Sequence, residues 1–427
     1  MRGWVVIAFG VNLLLPRSSP AQERNESYDS SGSVSTSTAS ADTELEPESK
    51  ASRGWKLRDV KFRVGGAIWV NLAYQAFDSL DPPRRGDFRF DNFRIAFDGE
   101  WNGLLASAQY RLYSFTDIVH HGWIGYRFLE HYQVEIGITQ VPFGLLPFAT
   151  HSYWFGLGYY IGFEDDYDAG FKLAYSRGPL DLHVAFFINE ELSNATDFDR
   201  YSTDLARVDE QQTEEEYQGN LRAAYTFGRG SPFSTQWGLS GQVSSLPNLT
   251  TNERGIHWAA GVHFRGNYRG WNPEFQLVRY EFHPKNPVGV DDRLVLMANL
   301  SSTRFVAAKA YLINLNLRRT VEVGLGPLQR LRFYVDYSHH IKDVDEFNDS
   351  QLIDPGFLLE MGPFWVWTDF LVARNAQYLN DSLANSGPGP GGTDRFEFRF
   401  NINFEWYFYY PPEEAPTAIK GRRTKGR

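Results

Sequence analysis

The chain has 427 residues, no cysteine, a formal net charge of -10 and an aromatic share of 16%, made of 33 Phe, 23 Tyr and 12 Trp. The missing cysteine excludes thiolate chemistry, thiolate metal sites and a disulfide framework. The acidic balance argues against a nucleic-acid partner, because phosphate backbones are bound mainly by Lys and Arg.

Residues 1–21 combine Arg2, an apolar run of 13 residues and the small-residue stretch Ser19, Pro20, Ala21, which predicts a secretory signal peptide. The run falls short of the about 20 residues a membrane helix needs. In residues 27–43, 10 of 17 positions are Ser or Thr. Such a stretch buries too little apolar surface to offset ordering its backbone, so residues 22–54 are expected to be a disordered periplasmic segment.

Residues 55–410 are predicted to be a transmembrane antiparallel β-barrel, an all-β fold. From residue 61 onward apolar and polar side chains alternate in stretches separated by turn residues, the strand signal for a wall with unlike faces. Phe62, Val64, Ile68, Val70, Leu72 and Tyr74 alternate with Arg63, Gly65, Asn71 and Gln75. Phe93, Ile95 and Phe97 alternate with Arg94, Asp98 and Glu100, and Leu104, Ala106, Ala108, Tyr110 and Leu112 with Ser107, Gln109 and Arg111. A mean hydropathy of -0.41 is compatible with this reading, since barrel strands are apolar on one side only.

The next segment, Gly137-Ile138-Thr139-Gln140-Val141-Pro142-Phe143-Gly144, leads into Gly- and aromatic-rich sequence up to Gly162 and then into Phe163-Glu164-Asp165-Asp166-Tyr167-Asp168. Residues 141–166 hold many aromatics and few charges, costly to leave in water, so this loop is predicted to fold into the lumen. Glu164, Asp165, Asp166 and Asp168 offer the carboxylate oxygens a calcium ion takes, but their spacing matches no EF-hand loop, and no metal site or cofactor is expected. Gly178-Pro179 predicts a short periplasmic connection. Residues 190–216 carry 10 acidic and 2 basic residues, read as a solvated extracellular loop, with divalent-cation binding by its carboxylates as the alternative. Ile256, Trp258, Ala260, Val262 and Phe264 continue the alternation. Residues 271–317 contain strands of no consistent facing.

Histidines occur at 120, 121, 131, 151, 183, 257, 263, 283, 339 and 340, none at helical metal spacing. No Gly-x-Ser-x-Gly elbow appears, and the glycine-rich stretch 387–392 lacks the Lys of a phosphate-cradling loop. The clearest strand is the last. Phe396, Phe398, Phe400, Ile402, Phe404, Trp406, Phe408 and Tyr410 share one face, opposite Glu397, Arg399, Asn401, Asn403 and Glu405. A soluble sandwich would need a second sheet over such a face, whereas lipid covers it directly. This strand is predicted to close the barrel on the first, because an unpaired edge is not tolerated in hydrocarbon. Residues 411–427 are expected to form a basic periplasmic tail. Turn spacing allows about 14 to 18 strands; both termini on one side require an even number, and sixteen is predicted.

The Pro142-Phe143-Gly144 corner, the long loop after it, the Asp166-Tyr167-Asp168-Ala169-Gly170 return, Gly362-Pro363-Phe364-Trp365 and the aromatic closing strand resemble the phosphate-selective porin O and P family. The resemblance implies an outer-membrane channel of 16 strands, usually a homotrimer, with a constriction loop formed around Gln140, Pro142, Phe143 and Gly144 and basic side chains that draw in anions. Gln140 departs from it, standing where the family often has Lys. The inward basic residues expected to line the channel are Arg63, Arg94, Arg111, Lys172, Arg222, Arg265, Arg332 and Arg399. Against them stand Asp98, Glu100, Glu135, Asp181, Asp336, Glu397 and Glu405, so the charges either pair across strands or guide anions. The expected activity is passive diffusion of small hydrophilic solutes through a bacterial outer-membrane porin, with an anion, phosphate-like preference; no enzymatic activity is expected. A plugged barrel serving as a structural protein or surface hydrolase is the alternative.

Overall fold

The computed structural model describes residues 60–77, 85–377, 387–392 and 395–408. The predicted signal peptide, Ser/Thr-rich segment and basic tail lie outside the described residues, as does Tyr410 of the closing strand. Among the described residues no helix is long and apolar enough to cross a membrane.

Among the described residues there are nineteen strands: β1 (Lys61–Gln75), β2 (Asp87–Trp101), β3 (Leu104–Tyr113), β4 (Asp117–Phe128), β5 (Tyr132–Gln140), β6 (Tyr167–Arg177), β7 (Leu180–Glu190), β8 (Asp204–Leu205), β9 (Glu216–Phe227), β10 (Phe233–Pro247), β11 (Arg254–Tyr268), β12 (Trp271–His283), β13 (Leu294–Asn299), β14 (Ser302–Ala307), β15 (Lys309–Leu325), β16 (Leu328–Lys342), β17 (Ser350–Met361), β18 (Phe364–Arg374) and β19 (Glu397–Phe408). All but β8, β13 and β14 form one closed antiparallel barrel of 16 strands. The predicted strand number and closure therefore hold.

β19 pairs with β1 from Gly66 opposite Phe408 to Gln75 opposite Arg399. Outside the seam, Ile68, Val70 and Leu72 face Trp406, Phe404 and Ile402. Inside it, the Asn71 amide donates to Asn401 Oδ1 at 2.7 Å and Asn403 Oδ1 at 2.5 Å. A one-residue slip would turn these amides into lipid, so the pattern of the two strands fixes the register.

Seven connections on the side of the described chain ends have only two to five residues, and the opposite side carries all the long loops. Short periplasmic turns and long extracellular loops are the habit of outer-membrane barrels, which orients the protein. The β2–β3 turn has Asn102 at φ 49° and Gly103 at φ 86°, the paired positive angles of a two-residue hairpin turn. Exposed Phe97, Ile124, Phe171, Leu221, Leu239 and Phe333 belong to the outer surface. A closed barrel with an apolar exterior is stable only in lipid, so the protein resides in a bacterial outer membrane.

The largest departure of the fold from the sequence reading is in one region. β8, β13 and β14 form a separate three-stranded sheet, in which β13 pairs with both β14 and β8. The stretch 190–216 is thus solvated only in part: Glu190, Glu191 and Asp204 are buried, whereas Asp197, Asp199, Asp209 and Glu210 are exposed. Two fully buried arginines hold this layer. Arg200 donates to the carbonyls of Ala298, Asp204 and Leu205 at 2.9–3.2 Å, and Arg304 donates to Asn299 Oδ1 at 2.6 Å and to Tyr160 O at 3.1 Å.

Candidate functional site: the constricted lumen

Residues 141–166 leave β5 and turn into the barrel, as predicted. The Pro-Phe-Gly corner packs on the wall: Phe143 is buried, with its ring 5.3 Å from that of Phe163. Gly144 N donates to Ser240 Oγ at 3.0 Å, Leu145 N donates to Gln276 Oε1 at 2.8 Å, and Gly144 O accepts from Arg222 Nε at 2.6 Å. Arg265 donates to the carbonyls of Leu146 and Phe148 at 2.6 and 2.8 Å, and Asn316 donates to that of Ala149. Gln140 Nε2 braces both arms, reaching Pro147 O at 2.9 Å and Asp165 Oδ1 at 3.2 Å.

Gly144 sits at φ 58°, and a Cβ there would lie 2.1 Å from Gln276 Oε1. Gly144→Ala is therefore expected to cost about 2 kcal/mol, from the strained backbone and the displaced hydrogen bond. Urea unfolding followed by the heat-modifiable band shift would show it as a lower midpoint.

Two buried groups lock the returning arm. Glu164 accepts from Ala149 N at 3.0 Å, Thr150 Oγ1 at 2.6 Å and Gly156 N at 3.2 Å, and burial pushes its carboxyl up to about 8. His151 lies between Asp336 Oδ1 at 3.1 Å and Glu274 Oε2 at 3.5 Å. Burial opposes its charge, but the two carboxylates outweigh that and raise its pKa above the usual value. A raised folded-state pKa means stability that is complete below the unfolded value and lost as pH rises through the folded one. For Glu164 the window runs from 4.5 to about 8. Thermal stability is thus expected to fall from pH 5 to pH 8.5, and Glu164→Gln to flatten that slope; an unchanged slope would reject this lock.

Beyond the anchors the loop crosses the lumen. Tyr153 donates to Asp91 Oδ2 of β2 at 2.7 Å, and its ring lies 5.4 Å from Trp69 of β1. Between the loop and the opposite wall is a cavity of about 840 Å³. Its lining includes seven arginines, Arg89, Arg94, Arg111, Arg265, Arg318, Arg332 and Arg399, against four carboxylates, Asp91, Asp165, Glu274 and Glu405. Aromatic rings carry several of the guanidinium groups: Arg94 over Trp69 at 3.3 Å, Arg399 over Trp154 at 3.9 Å and Arg111 over Tyr201 at 4.4 Å. Arg94 and Arg111 stand directly opposite each other on β2 and β3. Arg94 Nε donates to Asn92 Oδ1 at 3.0 Å and Arg111 Nε to Gln109 Oε1 at 2.7 Å, and among the described residues neither has a carboxylate oxygen within 4.0 Å.

The eight predicted channel-lining residues all point inward, with different surroundings. Arg94, Arg111, Arg265, Arg332 and Arg399 reach the cavity. Arg63 lies near the periplasmic end of β1, 3.9 Å from Asp98. Lys172 and Arg222 correct the expectation. Lys172 is buried against Glu135 at 2.9 Å and Gln140 O at 3.0 Å, and Arg222 is buried under Gly144 O, so both anchor the loop instead of lining the path. Pairing also occurs at Arg265–Glu274 and Arg332–Glu360. Likewise Pro142, Phe143 and Gly144 form the loop's footing, while Tyr153, Trp154, Phe155 and Tyr159 line the cavity. The sequence reading missed Arg89, Asp91 and Arg318; Asp91 lies at a register irregularity in β2, where alternation gives no facing.

No protein-family model matches the chain, and no curated protein matches it by sequence. Solved structures do. OmpT, an outer membrane protein of Vibrio cholerae in its trimer form, matches with TM-score 0.54 and 12% identity over 82% of this chain and 99% of that one. OmpF of Salmonella typhi, in complex with daunomycin, matches with TM-score 0.53 and 12% identity over 82% and 98%. An anion-selective porin from Comamonas acidovorans matches with TM-score 0.50 and 12% identity over 82% and 100%. At such identities the likeness concerns the fold, and by fold this chain is a 16-stranded outer-membrane barrel of the porin architecture.

Proposed function

We propose that the barrel is a passive pore for small hydrophilic solutes with a modest preference for anions. The observation that carries this reading is the seven-to-four excess of arginine over carboxylate around the cavity, in a chain whose formal net charge is -10. Ion choice is set by charges at the narrowest level, and surface acids beyond a Debye length of about 8 to 10 Å contribute little. Two arginines facing each other without a close acid are unfavourable for the wall alone, which favours a guiding role for Arg94 and Arg111. The preference is a general one: only Arg94 and Arg111 stand side by side, and the other guanidinium groups are spread around the cavity, short of the several convergent donors that capture of phosphate needs. The chain is proposed to assemble as a homotrimer.

The same reading makes the chain a channel and not a hydrolase. Ser107 Oγ donates to Asp98 at 2.9 Å and meets His121 Nε2 at 2.9 Å, but the other nitrogen of that imidazole faces His120 at 2.8 Å. That order lacks the carboxylate behind the base which orients a nucleophile-activating histidine. Reconstitution into planar bilayers is expected to give stepwise currents; a protein that inserts and passes none would favour the plugged barrel.

A further inference from the structure

A second acidic group lies apart from the cavity, where the inward loop rejoins the wall. Asp168 at the start of β6, Glu191 just past β7 and Asp204 in β8 each present a carboxylate oxygen, and the three oxygens lie within 4.8 Å of one another. All three residues are buried. Gln218 donates to Asp168 Oδ2 at 2.9 Å and Ser202 N donates to Glu191 Oε1 at 2.8 Å. Glu191 Oε2 and Asp204 Oδ2 are buried without any hydrogen-bond donor, as is Asp166 Oδ1 two residues before Asp168. Arg200 Nη2 donates to the carbonyls of Asp204 and Leu205, its buried Nη1 makes no hydrogen bond and lies 3.8 Å from Glu190, and Glu215 is paired with His257 at 3.0 Å. Among the described residues no Lys or Arg nitrogen comes within 4.0 Å of Asp166, Asp168, Glu191 or Asp204.

Buried carboxylates this close are held together only by protons or by a cation. A cavity of about 10 Å³, with the size of one small particle, lies on the Asp168 and Asp204 side of the group and is also lined by Glu190 and Glu215, but not by Glu191. Calcium takes oxygen ligands at about 2.4 Å, so two of them on one ion stand up to about 4.8 Å apart, and its irregular coordination suits a mixed carboxylate set. We propose that Asp168, Glu191 and Asp204 bind a divalent cation of the calcium type, with Asp166 as a neighbouring ligand. The ion then ties the return of the constriction loop to the segment between β7 and β9. The site stands on these contacts alone and does not depend on the pore reading.

The test uses the full-length protein, folded in detergent without lipopolysaccharide and stripped of metal. Calcium is expected to raise the melting temperature by several degrees over EDTA, and terbium to give tyrosine-sensitised emission that calcium displaces. Glu191→Gln combined with Asp204→Asn is expected to abolish both responses, and in EDTA to melt at or above the unsubstituted protein because the repulsion is gone. The single variant Glu191→Gln serves if the pair does not fold, with weakened calcium response expected. Identical melting in calcium and EDTA with no terbium emission, or a calcium shift that survives the substitutions, would overturn the proposal.

Discussion

Replacing Tyr153 and Trp154 together by alanine is expected to raise single-channel conductance roughly twofold while the barrel stays intact. Tyr153 holds the loop to the far wall through Asp91 at 2.7 Å and the Trp69 ring, and Trp154 lies under the Arg399 guanidinium. Removing both rings opens the lumen and frees the loop from that wall. The footing through Arg222, Ser240, Gln276 and Arg265 remains, so heat-modifiable mobility should not change. A conductance equal to that of the unsubstituted protein would place the constriction elsewhere.

The second large effect concerns charge. Arg94→Gln with Arg111→Gln is expected to move the reversal potential in a KCl gradient toward the cation side. A unit charge contributes about 1 kcal/mol to an ion passing at about 4 Å in water, so losing two changes the permeability ratio several-fold. The shift should fade toward 1 M salt, where the Debye length is about 3 Å. Neutralising Lys172 instead should weaken folding, because it would leave Glu135 buried without its cation partner. An unmoved reversal potential in the double variant would assign the filter to other residues.

Where two faces of a strand meet unlike surroundings, the sequence states which is which. β1, β2, β3 and β19 were legible for that reason, down to the seam between Ile68 and Trp406. β12 was not, because its inner face carries Val278, Tyr280 and Phe282, all buried in one core with Phe143 and Phe163 of the inward loop. An inner face covered by protein is as apolar as one facing lipid, so alternation disappears. Residues 294–307 failed for a different reason: they pair in a sheet outside the barrel wall. The loop was legible from its aromatic content, since such a surface needs cover. Which basic residues line the cavity was not, because Arg94 and Lys172 occupy equivalent inward positions and differ only in what the loop covers. The acidic stretch 190–216 misled because composition reports charge and not depth.

The proposed pore has an open lumen whose narrowest level favours anions in an acidic protein. The reversal potential of the unsubstituted protein across a KCl gradient tests it most directly. A value on the anion side, modest in size and unaltered by micromolar phosphate, is the predicted result; clear cation selectivity, or block of chloride current by micromolar phosphate, would contradict it.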